Sequence, residues 1–191
     1  MASYIFSDLL SQAPPTISRN VADARDWLST NVHSVRQNKI LTGDRQRMVD
    51  RVEPGGMYMF LYDPKTKAKL PYFDRFPLIF PFKQVPGGFL GLNLHYLPPL
   101  VRAKLMDGLW PYIDNDDLAP NRKLAITYQQ LDRASKLRYF KPCVKRYLNN
   151  NVKSRFVTIY PEEWNIAVFL PTERFAKAGK QTVYKESIGK I

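Results

Sequence analysis

The sequence predicts an α+β fold: a small curved antiparallel β unit packed with helices and preceded by a helical arm. Three observations predict it. Residues 57–97 contain short apolar runs rich in aromatic side chains and broken by Pro and Gly, the pattern of bent strands. On either side, apolar residues recur at spacings of three and four, the pattern of helices with one buried stripe. A length of 191 residues, with 45% hydrophobic and 13% aromatic side chains, suffices for a core and excludes wholesale disorder.

Residues 1–54 form the expected N-terminal helical arm and linker. Ser3 can cap a short turn carrying Ile5, Phe6, Leu9 and Leu10, which Pro14-Pro15 stops. Val21, Ala24, Leu28, Val32 and Val35 then make a single apolar stripe, with Arg25, Asp26 and Arg36 outside it. Residues 36–54 are polar and read as a linker. Trp27 and His33 are packing and surface residues in this reading.

The mixed α/β body is expected over 55–175. Pro54-Gly55-Gly56 opens it, and Met57 to Tyr62 is a strand followed by the turn Asp63-Pro64-Lys65-Thr66. Leu70 to Phe73 is the expected hairpin partner, confined to an edge by Pro71. Phe76 to Phe82 is a third strand, and Gly87-Gly88 turns the chain into the run Phe89 to Leu97. That run alternates: Phe89, Gly91, Asn93 and His95 on one face, Leu90, Leu92, Leu94 and Tyr96 on the other. Short punctuated strands predict a Src-homology-like barrel over 55–98.

Pro98-Pro99 starts a helix with Val101, Leu105 and Leu109 in register, and Trp110-Pro111 ends it. Asn121 caps the next helix, from Arg122 to about Phe140, with Leu124, Tyr128 and Leu131 inward. Pro142 ends or kinks it, Val144 to Leu148 gives a further turn, and Asn149-Asn150-Asn151 closes it. Ser154 to Tyr160 and Trp164 to Leu170 are the last strand candidates. Residues 176–191 are polar and read as a C-terminal arm.

Composition narrows the function. No apolar run approaches the ~18 to 20 residues that cross a bilayer, and Met1 to Asp8 lacks the pattern of a signal peptide, so no membrane partner is expected. One cysteine, Cys143, forbids an internal disulfide and a thiolate cluster, and two histidines make a multi-histidine metal site unexpected. Asp114-Asn115-Asp116-Asp117 lacks the glycine and distal glutamate of a calcium loop. No metal or cofactor is therefore expected.

The net charge of +12 is concentrated at one end. Residues 1–56 carry 7 basic and 6 acidic side chains, and residues 57–120 repeat that tally, whereas residues 121–191 carry 15 basic and 5 acidic. Such asymmetry points to an anionic partner, against the plainer reading of a solvated face. Arg133, Lys136, Arg138, Lys141, Lys145, Arg146, Lys153 and Arg155 are the candidate residues for nucleic acid or an acidic protein partner. They can neutralise phosphates while Tyr139, Phe140 and Tyr147 either stack on bases or fill the core. None of this pattern is base-specific.

A catalytic constellation is harder to assemble. His95 with Asp74 or Asp107 would make an acid–base pair, with Arg75 or Arg102 beside a developing anion. The plainer reading of His95 is a hydrogen-bonded structural histidine, and Cys143 reads as a small apolar residue. Gly55-Gly56 and Gly87-Gly88 are turn glycines, outside any phosphate-loop pattern. The chain is expected not to be an enzyme.

Three segments then matter together: Gly56 to Lys65, Phe76 to Pro81 and Gly88 to Leu97, joined by Lys141-Pro142-Cys143-Val144-Lys145-Arg146-Tyr147-Leu148. Over residues 56 to about 175 the chain resembles a family of small virion-associated or uncharacterised proteins of large contractile-tailed bacteriophages. The resemblance implies a structural or genome-associated role in the particle, with no site residue carried over. The leading expectation is a non-enzymatic structural component of a tailed-phage particle. It would be assembled in the host cytoplasm and docked on other virion proteins by its arms, as part of a larger assembly. Its basic last third would face DNA or an acidic subunit. Second stands a free nucleic-acid-binding protein that protects DNA ends or assists packaging. Third is a small-barrel nuclease, since Gly56 to Phe82 is similar to the opening strands of ribonuclease toxins.

Overall fold

The computed structural model describes residues 45–99, 101–102, 129–133, 135–136 and 138–190. Residues 1–44 of the expected arm, Asp107, the acidic 114–117 loop and most of the two central helices lie outside the described residues. Within them the predicted α+β class holds. Strands β1 (Met48–Val49), β2 (Met57–Met59), β4 (Leu78–Val85), β5 (Gly88–Asn93), β6 (Val144–Leu148) and β7 (Phe156–Ile159) form one sheet. Its order is β1-β7-β2-β4-β5-β6, and every pairing is antiparallel. A second two-stranded sheet joins β3 (Phe73–Asp74) to β8 (Phe175–Ala176). The helices α1 (Trp164–Ala167) and α2 (Lys180–Gly189) complete the C-terminal part.

The expected barrel is not formed; the six-stranded sheet is open, with β1 and β6 at its edges. Strands distant in sequence explain the difference. β7 inserts between β1 and β2, and β6 extends the other side, so residues 55–98 have no need to close on themselves. Leu70 to Phe73 is likewise not the partner of the first strand: β2 lies between β4 and β7, and β3 pairs with β8 instead.

Both faces of the sheet are buried, because strand side chains alternate and each face finds apolar cover. Met57, Met59, Phe80, Leu92 and Val157 point into the larger core, while Tyr58, Phe60, Phe89, Tyr147 and Phe156 make an aromatic cluster on the opposite face. Phe60 sits at the centre of that cluster, meeting Tyr147 and Phe156 edge to face at 5.3 and 4.9 Å between centroids. The alternation expected along Phe89 to Leu97 holds as far as Asn93. There the Asn93 side chain accepts from the His95 N–H and turns the chain into a single 3-10 turn, Leu94–Tyr96.

Two further segments differ from expectation. Val144 to Leu148 is the edge strand β6 and not a helical turn. Pro142 sits in a 3-10 helix (Arg138–Cys143), after which the chain extends along the open edge of β5. Trp164 to Leu170 is not a strand: Trp164–Ala167 is helical and a turn follows. Glu163 accepts from the Tyr160 N–H at 2.9 Å and nucleates a turn behind Pro161, and Trp164 then packs on Phe80 at 4.7 Å. The C-terminal segment read as an arm contains α2, whose Val183, Tyr184 and Ser187 are buried.

The interior is stapled by one carboxylate. Asp74 Oδ1 accepts from the backbone N–H groups of Phe76 and Arg174 at 3.1 and 3.2 Å. Its Oδ2 lies 2.7 Å from His95 Nδ1 and accepts from Asn93 Nδ2 at 3.2 Å. His95 Nε2 lies 3.0 Å from Thr172 Oγ1, and Asn93 Nδ2 donates at 3.0 Å to the Tyr147 hydroxyl. Nearby, the buried Arg102 donates to the carbonyls of Leu97 and Val168 and to the Tyr184 hydroxyl.

Burial alone raises the Asp74 pKa, but the His95 ring and the donors from Phe76 and Asn93 more than reverse it. The carboxyl therefore sits below its ordinary 3.8. A folded-state pKa below the unfolded one contributes stability that is fully present above the unfolded value. That contribution is lost as pH falls through the folded value. Asp74→Ala should cost about 3–5 kcal/mol at neutral pH. In urea unfolding, the gap between midpoints at neutral pH and below pH ~3 should also be narrower in the variant than in the parent. Gly88 supplies a second test, because a Cβ there would stand 1.8 Å from the Tyr147 carbonyl oxygen on β6. Gly88→Ala should lower unfolding free energy by about 2–3 kcal/mol, read as a shift of the same midpoint.

Candidate nucleic-acid interface

The eight basic residues singled out from the sequence do not form one patch. Lys136 and Arg133 lie on the helical segment that includes Leu131; Lys136 pairs with Asp132 one turn earlier at 2.7 Å, and Arg133 is exposed. Lys141 is exposed on the 3-10 turn that Arg138 begins, and the Arg138 and Tyr139 side chains lie outside the described ones. The remaining four divide between two grooves.

The first groove, about 860 Å3, takes Lys153 and Arg155 and adds Arg51, Gln84 and Asn149 over a floor of Phe89 and Phe156. Arg155 is engaged there by Asp50 at 2.8 Å and by the Met48 carbonyl at 2.7 Å. Such an exposed pair is weak and can exchange for a phosphate.

The second groove, about 550 Å3, runs beside β6 and takes Lys145 and Arg146. The fold adds Lys65 from the Asp63–Thr66 turn and Lys190 from the end of α2, two cations that sequence reasoning did not select. Among the described residues none of Lys65, Lys145, Arg146 and Lys190 has a carboxylate within ion-pair distance. Lys145 is half-buried, its Nζ 3.9 Å from the centre of the Tyr96 ring. Burial pulls its ammonium down to about 8, and the neighbouring Lys190 cation pushes the same way. Arg146 donates to the Pro86 carbonyl at 2.9 Å.

The opposite wall of this groove is held from a distance. Lys177 has φ 70°, a left-handed conformation unfavourable for a side chain with a Cβ. Its Nζ donates to the carbonyls of Lys67, Ala68 and Leu70 at 2.7, 3.0 and 2.9 Å. Three hydrogen bonds from one charged donor offset that conformational cost and pin the 64–72 loop. Tyr72 then closes the wall towards α2. Burial first, and the Glu186 carboxylate beside it second, push its hydroxyl up to about 12.

Two of the three rings in the basic stretch are accounted for by packing. Tyr147 and Phe140 are buried in the core, so neither ring is presented for stacking. Cys143 is buried as well, and desolvation pushes its thiol up to about 12. The acid–base pair weighed from sequence does assemble, since His95 meets Asp74. Both are buried, and Thr172 occupies the other ring nitrogen of His95, which makes the pair a structural brace. Arg75 is exposed away from that pair's interior, and Arg102 is consumed by carbonyls.

Comparison with curated proteins and with solved structures gives no match. A protein-family model described as the Phage T4 terminal DNA protecting protein matches residues 14–190, extending on both sides of the stretch that resembles phage proteins. With nearly its whole length matched, the chain belongs to the Phage T4 terminal DNA protecting protein family.

Proposed function

We propose that this phage protein binds the ends of DNA and protects them by occupancy and not by catalysis. The family match over residues 14–190 carries the reading, because that family is described by protection of DNA termini. The structure supports it with two grooves rich in cations, one of which has no carboxylate partner among the described residues. DNA is the partner in this reading, and the host cytoplasm during infection is where it acts. The contacts expected are to phosphate, and they carry no base sequence. The structural-virion reading ranks second, because the family is described by the protection of DNA termini and not by a place in the particle.

Binding of blunt linear DNA should weaken steeply with salt, with a log–log slope of ~0.9 per phosphate neutralised. Replacing Lys141, Lys145 and Arg146 together by Glu should abolish it. Preincubation with the protein should also slow digestion of linear DNA by an exonuclease, and the triple variant should give no such delay. A folded wild-type protein without measurable affinity for DNA at low salt would sink the proposal.

A further inference from the structure

We propose that the groove beside β6 receives a single terminal nucleotide of a DNA strand, with its phosphate held by Lys145 and Lys190. This rests on the end-binding reading above and names the part of the surface that recognises the end.

Size comes first. At about 550 Å3 the groove lies within the range of roughly 300–1,000 Å3 typical of small-ligand pockets, and a duplex cannot enter it. A nucleotide therefore has to leave the helical stack to occupy it. Extruding an internal nucleotide breaks its pair and its stacking on both sides, a cost of a few kcal/mol that is least where pairing is already lost. The last nucleotide of a strand has a neighbour on one side only and frays. A groove of this size thus selects ends over duplex interior by the energy of unstacking, without reading a base.

The chemistry of the lining agrees. Burial disfavours the Lys145 charge, and the Lys190 cation adds to that cost. An anion between them relieves both penalties. A terminal phosphomonoester carries more charge than an internal diester, so it gains more here. Leu70, Pro71 and Val144 give an apolar wall suited to a sugar or base face. Asp74, at the floor, does not compete for the lysines, since its oxygens already accept from four donors. The Lys177 clamp sets the facing loop before any ligand arrives, so little ordering cost falls on binding.

The test titrates the full chain with three hairpin duplexes carrying a dye in the loop. One has a blunt 5′-phosphorylated end, one a blunt 5′-hydroxyl end, and one is sealed as a dumbbell. The phosphorylated hairpin should bind at least about tenfold more tightly than the dumbbell, the factor that ~1.4 kcal/mol supplies. The hydroxyl end should fall between them. In the K145Q/K190Q double variant the three affinities should converge. A folded double variant that keeps the full preference overturns the groove assignment and leaves end binding intact. A wild type that binds dumbbell and blunt hairpin equally overturns end binding itself. Lysine acylation of the wild-type protein gives a readout that needs no variant. Lys145 and Lys190 should be shielded by the phosphorylated hairpin and not by the dumbbell, and unchanged labelling with both would refute the assignment.

Discussion

The Asp74 carboxylate is the constraint on which the remainder of the molecule depends. A buried charge is tolerable only when its lone pairs are taken, and here each oxygen serves two donors from different parts of the chain. Those donors come from the bend after β3, the end of β5, the 3-10 turn of His95 and the strand approach at Arg174. One group thereby fixes how the small sheet lies against the large one. Because Asp74 and Asn93 also floor the groove beside β6, the geometry of that groove is inherited from the buried network and not from its exposed lysines.

Burial of both sheet faces has a second effect. The larger core covers one face of the sheet and the aromatic cluster fills the other, so among the described residues charge collects around the groove floored by Phe89 and Phe156 and at the β6 edge. The cations there are unequal. Lys145 is desolvated and fixed over the Tyr96 ring, whereas Arg155 and Lys136 already have exposed acidic neighbours that water and salt weaken. A half-buried cation with no counter-ion among the described residues costs stability in the free protein, and a ligand anion recovers it.

Much of the fold was legible in the sequence, and the reasons for the rest are physical. Gly87-Gly88 announced the turn between β4 and β5; in the fold Gly88 pairs with Val85 and the two turn residues are Pro86 and Gly87, whose φ of 73° costs a glycine little. The buried position of Leu131 was likewise readable from spacing, whereas the expected stop at Pro142 was not met, since that residue lies inside a 3-10 helix. The position of β7 was not, since no local pattern says that Phe156 to Ile159 will separate β1 from β2. The apolar run at Trp164 is too short for periodicity to tell helix from strand, and the Glu163 cap decides it. In the candidate site, Lys145 and Arg146 stood out because they lie in a basic run. Lys65 and Lys190 carried no such signal; they join through the turn after Asp63 and the docking of α2, both set by tertiary contacts.

The central place of β7 governs the order in which the molecule can be made. Synthesis releases β1, β2, β4 and β5 long before Phe156 leaves the ribosome, yet β1 has no partner in the large sheet until β7 arrives. Until then Tyr58 and Phe60 lack Phe156, and Asp74 lacks the Arg174 amide. The nascent chain therefore carries an incomplete aromatic layer and a carboxylate short of one of its four donors, a state in which exposed strand edges invite association. High sequence separation between paired strands also slows the final closure. A chain cut anywhere before residue 160 is thus an unclosed sheet and not a smaller working protein.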